Sequence, residues 1–162
     1  MTGETDDFDF PLVGPSHRTL ADPLGDVFAF KLKLNSPPDC SAAAASPASL
    51  WPANGKLVPV RIGGVIDPDG DPVEISVTRI TQDEPLTKKG QPDATGLSTD
   101  RPTLRATRDG KGDGRVYHVT FTATDPQQAS CTHTLTVCVP HDPAKRTCGD
   151  GGPLFGSTAE QL

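Results

Sequence analysis

From Leu57 to Pro140, apolar side chains recur at every second position in short runs broken by turn residues, and that period constrains the fold more than anything else in the chain. Val58, Val60 and Ile62 form the first run, and Val73, Ile75 and Val77 the second. Tyr117, Val119, Phe121 and Ala123 make a third, and Leu135, Val137 and Val139 a fourth. A period of two puts one face of an extended strand inward and the other outward, whereas a helix needs a period near 3.6. On the last run the parity places Cys131, His133, Leu135, Val137 and Val139 on one face and Thr132, Thr134, Thr136 and Cys138 on the other.

The breaks are as informative as the runs. The chain carries 17 Pro and 16 Gly in 162 residues, with 34% hydrophobic residues. That composition suits many short strands joined by turns better than a large helical core. Gly63-Gly64 marks a bulge or a close approach of backbones. Asp109-Gly110-Lys111-Gly112-Asp113-Gly114 reads as a hairpin loop, and the polar stretch 81–100 as a long connection. The alanine-rich stretch 41–49 is interrupted by Pro47 and reads as an extended lead-in. The expected fold is therefore all-β: an antiparallel β-sandwich over residues 38–142, close to the ~100 residues of an immunoglobulin-like domain. An arm, residues 1–37, precedes it with one extra strand near 27–34, and a tail, residues 143–162, follows. Trp51, the one tryptophan, is expected to plug the core or a sheet edge.

Charge narrows the function classes. The net charge of −6 disfavours a nucleic-acid partner, since phosphate contacts need a basic face. No stretch approaches the ~20 apolar residues of a membrane span. The four cysteines, Cys40, Cys131, Cys138 and Cys148, form no Cys-x-x-Cys pair, which argues against zinc-ribbon and thioredoxin-type sites. An even count in a turn-rich β protein favours disulfides and an oxidising compartment. The first residues, Met1-Thr2-Gly3-Glu4-Thr5-Asp6-Asp7, lack the basic and apolar regions of a signal peptide. A piece of a longer exported protein, a signal already removed and reduced thiols are all compatible with both observations.

Between the first two runs lies Asp67-Pro68-Asp69-Gly70-Asp71-Pro72. Three carboxylates at alternate positions of one bent turn repel unless a hard cation sits among them, and Ca²⁺ is the usual occupant of an oxygen-rich loop; an ordinary β-turn built from Asp, Gly and Pro is the alternative reading. No Glu falls at the twelfth position and strands flank the loop, so it is not an EF-hand. Ca²⁺ takes six to eight oxygens, and Asp83, Glu84 and Asp125, each at a strand end, are the candidate remaining ligands. The Asp109–Gly114 glycines do not form a phosphate-binding loop, which requires a helix after it. The four histidines show no metal-binding spacing, and no Gly-x-Ser-x-Gly elbow is present.

Several segments together resemble bacterial extracellular immunoglobulin-like and cadherin-like modules. They are Leu50-Trp51-Pro52-Ala53-Asn54-Gly55-Lys56-Leu57-Val58-Pro59-Val60, the acidic turn, Asp83-Glu84-Pro85, Leu104-Arg105-Ala106-Thr107-Arg108, Gly114-Arg115-Val116-Tyr117, Thr122-Ala123-Thr124-Asp125 and Val139-Pro140-His141-Asp142. Ala53 and Gly55 stand where such modules more often have Pro and His, and Asp125-Pro126-Gln127-Gln128 replaces an Asp-x-x-Gly-Asn turn. The resemblance implies a non-catalytic structural or adhesion module, calcium-stabilised, outside the cell or at its surface, with other proteins as partners. In such a sandwich the first strand runs parallel to the last, which implies Cys40 beside Cys131, and Cys138 then reaches Cys148 across the intervening loop. Two alternatives stand beside this expectation. One is a self-assembling filament subunit that lends the 27–34 strand to a neighbour; the other is an accessory module binding surface glycans.

Overall fold

In the computed structural model, the structure describes residues 2–5, 26–29, 34–142, 144 and 147–161. The chain divides into two units, residues 1–34 and 35–162. In the first, strand β1 (Thr2–Thr5) pairs antiparallel with β2 (Asp26–Ala29), with Thr2 opposite Ala29 and Thr5 opposite Asp26. The strand expected near 27–34 thus has a partner within the arm, which sequence periodicity did not show. Residues 30–33 of that expected strand, and His17, lie outside the described residues.

The second unit is all-β, built from antiparallel sheets. Its strands are β3 (Ala44–Ser46), β4 (Leu57–Pro59), β5 (Arg61–Gly63), β6 (Glu74–Gln82), β7 (Ala94–Thr95), β8 (Thr103–Arg105), β9 (Gly114–Thr124), β10 (Ser130–Pro140) and β11 (Phe155–Gly156). One sheet has the order β10-β9-β6-β11; the others are β4-β8-β7 and the pair β3-β5. The alternating run at 57–63 serves two of these sheets. Its first half pairs with β8 and its second with β3, and buried Val60 donates its amide to Pro102 O at 2.8 Å where the strand changes sheet.

One core joins the sheets: Val77, Ile80, Tyr117, Val119, Phe121, Val137 and Val139 from one side meet Leu50, Val60, Ile62, Ala94 and Leu104 from the other. Each fully buried Val, Leu, Ile or Phe contributes about 1.5–3 kcal/mol. The outward face of β9 and β10 carries cross-strand Thr pairs, Thr120–Thr134 at 2.9 Å and Thr122–Thr132 at 3.1 Å. The parity expected for β10 holds residue by residue, with Leu135, Val137 and Val139 buried and Thr132, Thr134 and Thr136 exposed.

Cys40 is bonded to Cys131 and Cys138 to Cys148, with Cα separations of 6.0 and 5.9 Å. Two disulfides fit folding in an oxidising environment. Among the described residues no helix is long and apolar enough to cross a membrane.

Three expectations need correction. Trp51 is half exposed (50%) and Leu50 (1%) plugs the core instead, because Leu50 donates its amide to Cys138 O at 2.8 Å and is drawn inward. The loop 109–114 is no hairpin: β8 pairs with β4 and β7, β9 with β6 and β10, so the loop crosses between sheets. The tail is part of the fold, since Phe155 and Gly156 pair with Gln82 and Thr81 and Ser157 is fully buried.

Gly64 is where backbones approach. Its φ is +82°, and a Cβ there would overlap the Ala42 carbonyl oxygen. Gly64→Ala is expected to cost about 1–3 kcal/mol or more. Gly70 has a similar φ (+81°) but open space around it, so Gly70→Ala isolates the conformational share, roughly 1–2 kcal/mol. Equal losses in urea titrations would show that the contact with Ala42 does not matter.

Candidate metal centre

The acidic turn is shaped by Asp67. Its Oδ1 accepts the amides of Asp69 (2.8 Å) and Asp71 (3.4 Å), and its carbonyl accepts the Gly70 amide at 3.1 Å. Asn and Asp favour turns for this reason, bonding backbone two residues on. Asp67 Oδ2 is buried with no hydrogen-bond partner. Asp69 Oδ2 accepts the Ser36 amide at 2.6 Å.

Asp125 belongs to the same end of the molecule. The turn leads into β6 at Glu74, which lies opposite Thr124, the last residue of β9. Asp125, 3% exposed, accepts the Ala129 amide on Oδ1 (2.9 Å) and the Asn35 side-chain amide on Oδ2 (2.7 Å). Consecutive residues Asn35 and Ser36 therefore reach Asp125 and Asp69. Sequence reasoning missed both, having read Asn35-Ser36-Pro37-Pro38 only as the end of a strand. Among the described residues no three His, Cys, Asp or Glu side chains are grouped as a metal requires. One oxygen of Asp67 and both of Asp125 are engaged by N–H donors, as described, and these are oxygens an ion would need.

Asp83 and Glu84 are not part of this end. They follow the last residue of β6, whose nine residues span about 30 Å at ~3.3 Å each, while the acidic turn precedes its first. One ion cannot be shared between them. Asp83 instead clamps β9: its amide donates to Val116 O (3.2 Å) and its Oδ1 accepts the Val116 amide (2.9 Å). Glu84 Oε2 accepts the Asp109 amide (2.7 Å) and Arg115 Nε (3.1 Å).

Arg115 opens a buried network that the sequence reading did not foresee. Its side chain is 3% exposed and Nη1 lies 2.7 Å from Asp93 Oδ2, itself 1% exposed. Asp93 also accepts Arg105 Nε (3.0 Å), Gln82 Nε2 (3.2 Å) and the Thr87 amide (2.7 Å). Tyr117 OH donates to Arg105 O at 2.9 Å. Burial alone would raise the Asp93 carboxyl, but the Thr87 amide, the Gln82 side chain and Arg115 together hold it below its usual value. Burial pushes the Tyr117 hydroxyl up to about 12, Arg115 opposing, and Arg115 is raised despite burial by Tyr117 and Asp93. A signal existed. Continuing the inward parity of Tyr117 back two residues places Arg115 inside, where a charge must have a partner.

Beyond this network a cleft of about 340 Å³ is lined by Asp83, Glu84, Asp109, Asp113 and Asp150 with three glycines. Glu84 Oε1 is buried there without a partner, and Asp150 bonds His118 Nε2 at 3.0 Å. Its five carboxylates make a negative surface.

No family model, curated protein or solved structure matches this chain.

Proposed function

We propose that the chain is an immunoglobulin-like module working outside the cell as a non-catalytic structural or adhesion unit, stabilised by Ca²⁺ at the acidic turn. The carrying observation is the buried, unpartnered Asp67 Oδ2 within a turn whose Asp69 is linked, through the consecutive residues Ser36 and Asn35, to Asp125. A buried acceptor without a donor costs free energy, and a cation would remove that cost. Release of Asn35 from Asp125 would free a second carboxylate oxygen at this end of the unit. The topology supports the immunoglobulin-like part. β3 pairs antiparallel with β5, then the chain crosses at Ser49 to bridge Cys138 of β10 in parallel.

The test is thermal unfolding in millimolar Ca²⁺ against chelator. Ca²⁺ at a hundred times its Kd should add about 2.7 kcal/mol. Asp67→Asn and Asp125→Asn should each abolish the shift, and Glu84→Gln should leave it. An identical melting temperature in both buffers removes the metal from the proposal.

A second reading, assembly through the arm, is favoured by the β1–β2 pair. A two-stranded sheet is marginal by itself, and among the described residues no third strand pairs with it, so an edge could accept one. Filaments in micrographs of the whole chain, lost on deleting residues 1–34, would support assembly over an isolated module.

A further inference from the structure

The segment after the second disulfide closes the open side of the sandwich. β11 lies on the outer edge of β6, and Ser157 then passes between the sheets. Its amide donates to Ile80 O in β6 (3.1 Å), while its carbonyl accepts the amides of Asp93 (3.0 Å) and Ala94 (2.9 Å) at β7. Its hydroxyl donates to Gln82 Oε1 at 2.9 Å. Ser157 and Thr158 are buried at 0 and 1% exposure. The segment is also self-shaped: Gln161 Oε1 accepts the Ser157 amide (3.2 Å) and the Thr158 hydroxyl (3.1 Å). A Cβ on Gly156 would press against Gln161. This strap is a preformed plug in a slot whose lining belongs wholly to the sandwich.

Only the connector Gly149-Asp150-Gly151-Gly152 joins the strap to Cys148, which its disulfide fixes. At the strap's root two apolar side chains face solvent, Leu154 (65% exposed) and Phe155 (38%). The slot recognises backbone and one small hydroxyl residue, so it cannot tell its own strap from that of another copy. We propose that the slot between β6 and β7 is a strand-exchange site, in which residues 153–161 of a second copy of this chain replace its own.

Exchange keeps the bonds that residues 155–161 make, and sets against the connector's own bonds, Asp150 with His118 (3.0 Å) and the Gly151 amide with Asp83 Oδ2 (3.3 Å), a new contact. Where two connectors cross between copies, the exposed Leu154 and Phe155 of each are placed to cover one another, which would bury surface that the closed form exposes. The partner is therefore another copy, and the association is reciprocal. It depends on neither the cation nor the arm.

The experiment unfolds the full chain with disulfides intact and refolds it from micromolar to millimolar concentration, in Ca²⁺ and in chelator alike, with sizing by light scattering. A dimer whose share rises with refolding concentration is expected, falling several-fold when excess synthetic peptide 153–161 is present. In dimers refolded from differently isotope-labelled copies, Ser157 of one label should show contacts to the Asp93 and Ala94 amides of the other. Deleting Gly151 and Gly152 shortens the connector and should make the dimer the main species. A folded shortened chain that stays monomeric overturns the proposal. So does a full chain that is monomeric throughout, or a dimer indifferent to the peptide and lacking those contacts. If the shortened chain fails to fold, the full chain's size and isotope contacts decide.

Discussion

Asp93→Ala is expected to lower the unfolding free energy by about 3–5 kcal/mol, because it leaves Arg115 charged and buried with its closest partner gone. Among the described residues Glu84, 3.1 Å from Arg115 Nε, would be the one carboxylate still paired with it, beside neutral acceptors such as Pro85 O (3.0 Å) and Thr87 Oγ1 (3.1 Å). Replacing both charges, as in Asp93→Leu with Arg115→Met, should recover much of the loss, since a buried pair often yields little over a well-packed apolar one. Urea titration of both variants checks this; a single-variant loss under about 1 kcal/mol would mean the network is not what holds the strand ends. Its pH dependence has two limbs. Asp93 is depressed in the folded state, so its contribution is full above the unfolded value of 3.8 and disappears as pH falls through the folded one. Tyr117 is raised from 10 to about 12, so its contribution is full below pH 10 and is lost as pH climbs to about 12. At 1.36 kcal/mol per unit the alkaline limb is worth roughly 2–3 kcal/mol.

The second large effect is expected at Cys40–Cys131. Removing it as a pair (Cys40→Ala with Cys131→Ala) frees a loop of sequence separation 91 in the unfolded chain, against 10 for Cys138–Cys148. Loop-closure entropy gives roughly 4–5 kcal/mol for the first and about 2–3 for the second. Denaturant midpoints of the two double variants should keep that order. The reverse order would mean that native contacts around Cys148, where the strap begins, outweigh the constraint on the unfolded chain.

Much of the fold was legible because alternation is a local property. The faces of β9 and β10, the approach at Gly64 and the lead-in before Leu50 could each be read from neighbours in sequence. What was not legible depends on which strand pairs with which. The loop 109–114 has a hairpin's composition, yet its flanking strands enter different sheets, and nothing in those residues records this. Trp51 looked like core by size, but the register set by Leu50 and Cys138 turns it outward. The grouping of six carboxylates around one ion failed for the same reason: Asp83 and Glu84 are near the turn in sequence and a full strand length away in space. Asn35 was missed because a single side-chain amide carries no pattern. Arg115 and Asp93 could have been suspected from parity, but their pairing across 22 positions could not.

The cross-link between Cys40 and Cys131 also determines how the second unit would answer a mechanical load. Tension applied near residue 35 and near residue 161 passes through that covalent bond and never reaches the polypeptide between its cysteines. A separation of 91 residues, about 300 Å of fully stretched chain, is thereby withheld from extension, and the shorter bridge withholds about 35 Å more. Pulled apart while oxidised, the unit would release only a short length before becoming taut, and reduction would multiply that length several-fold.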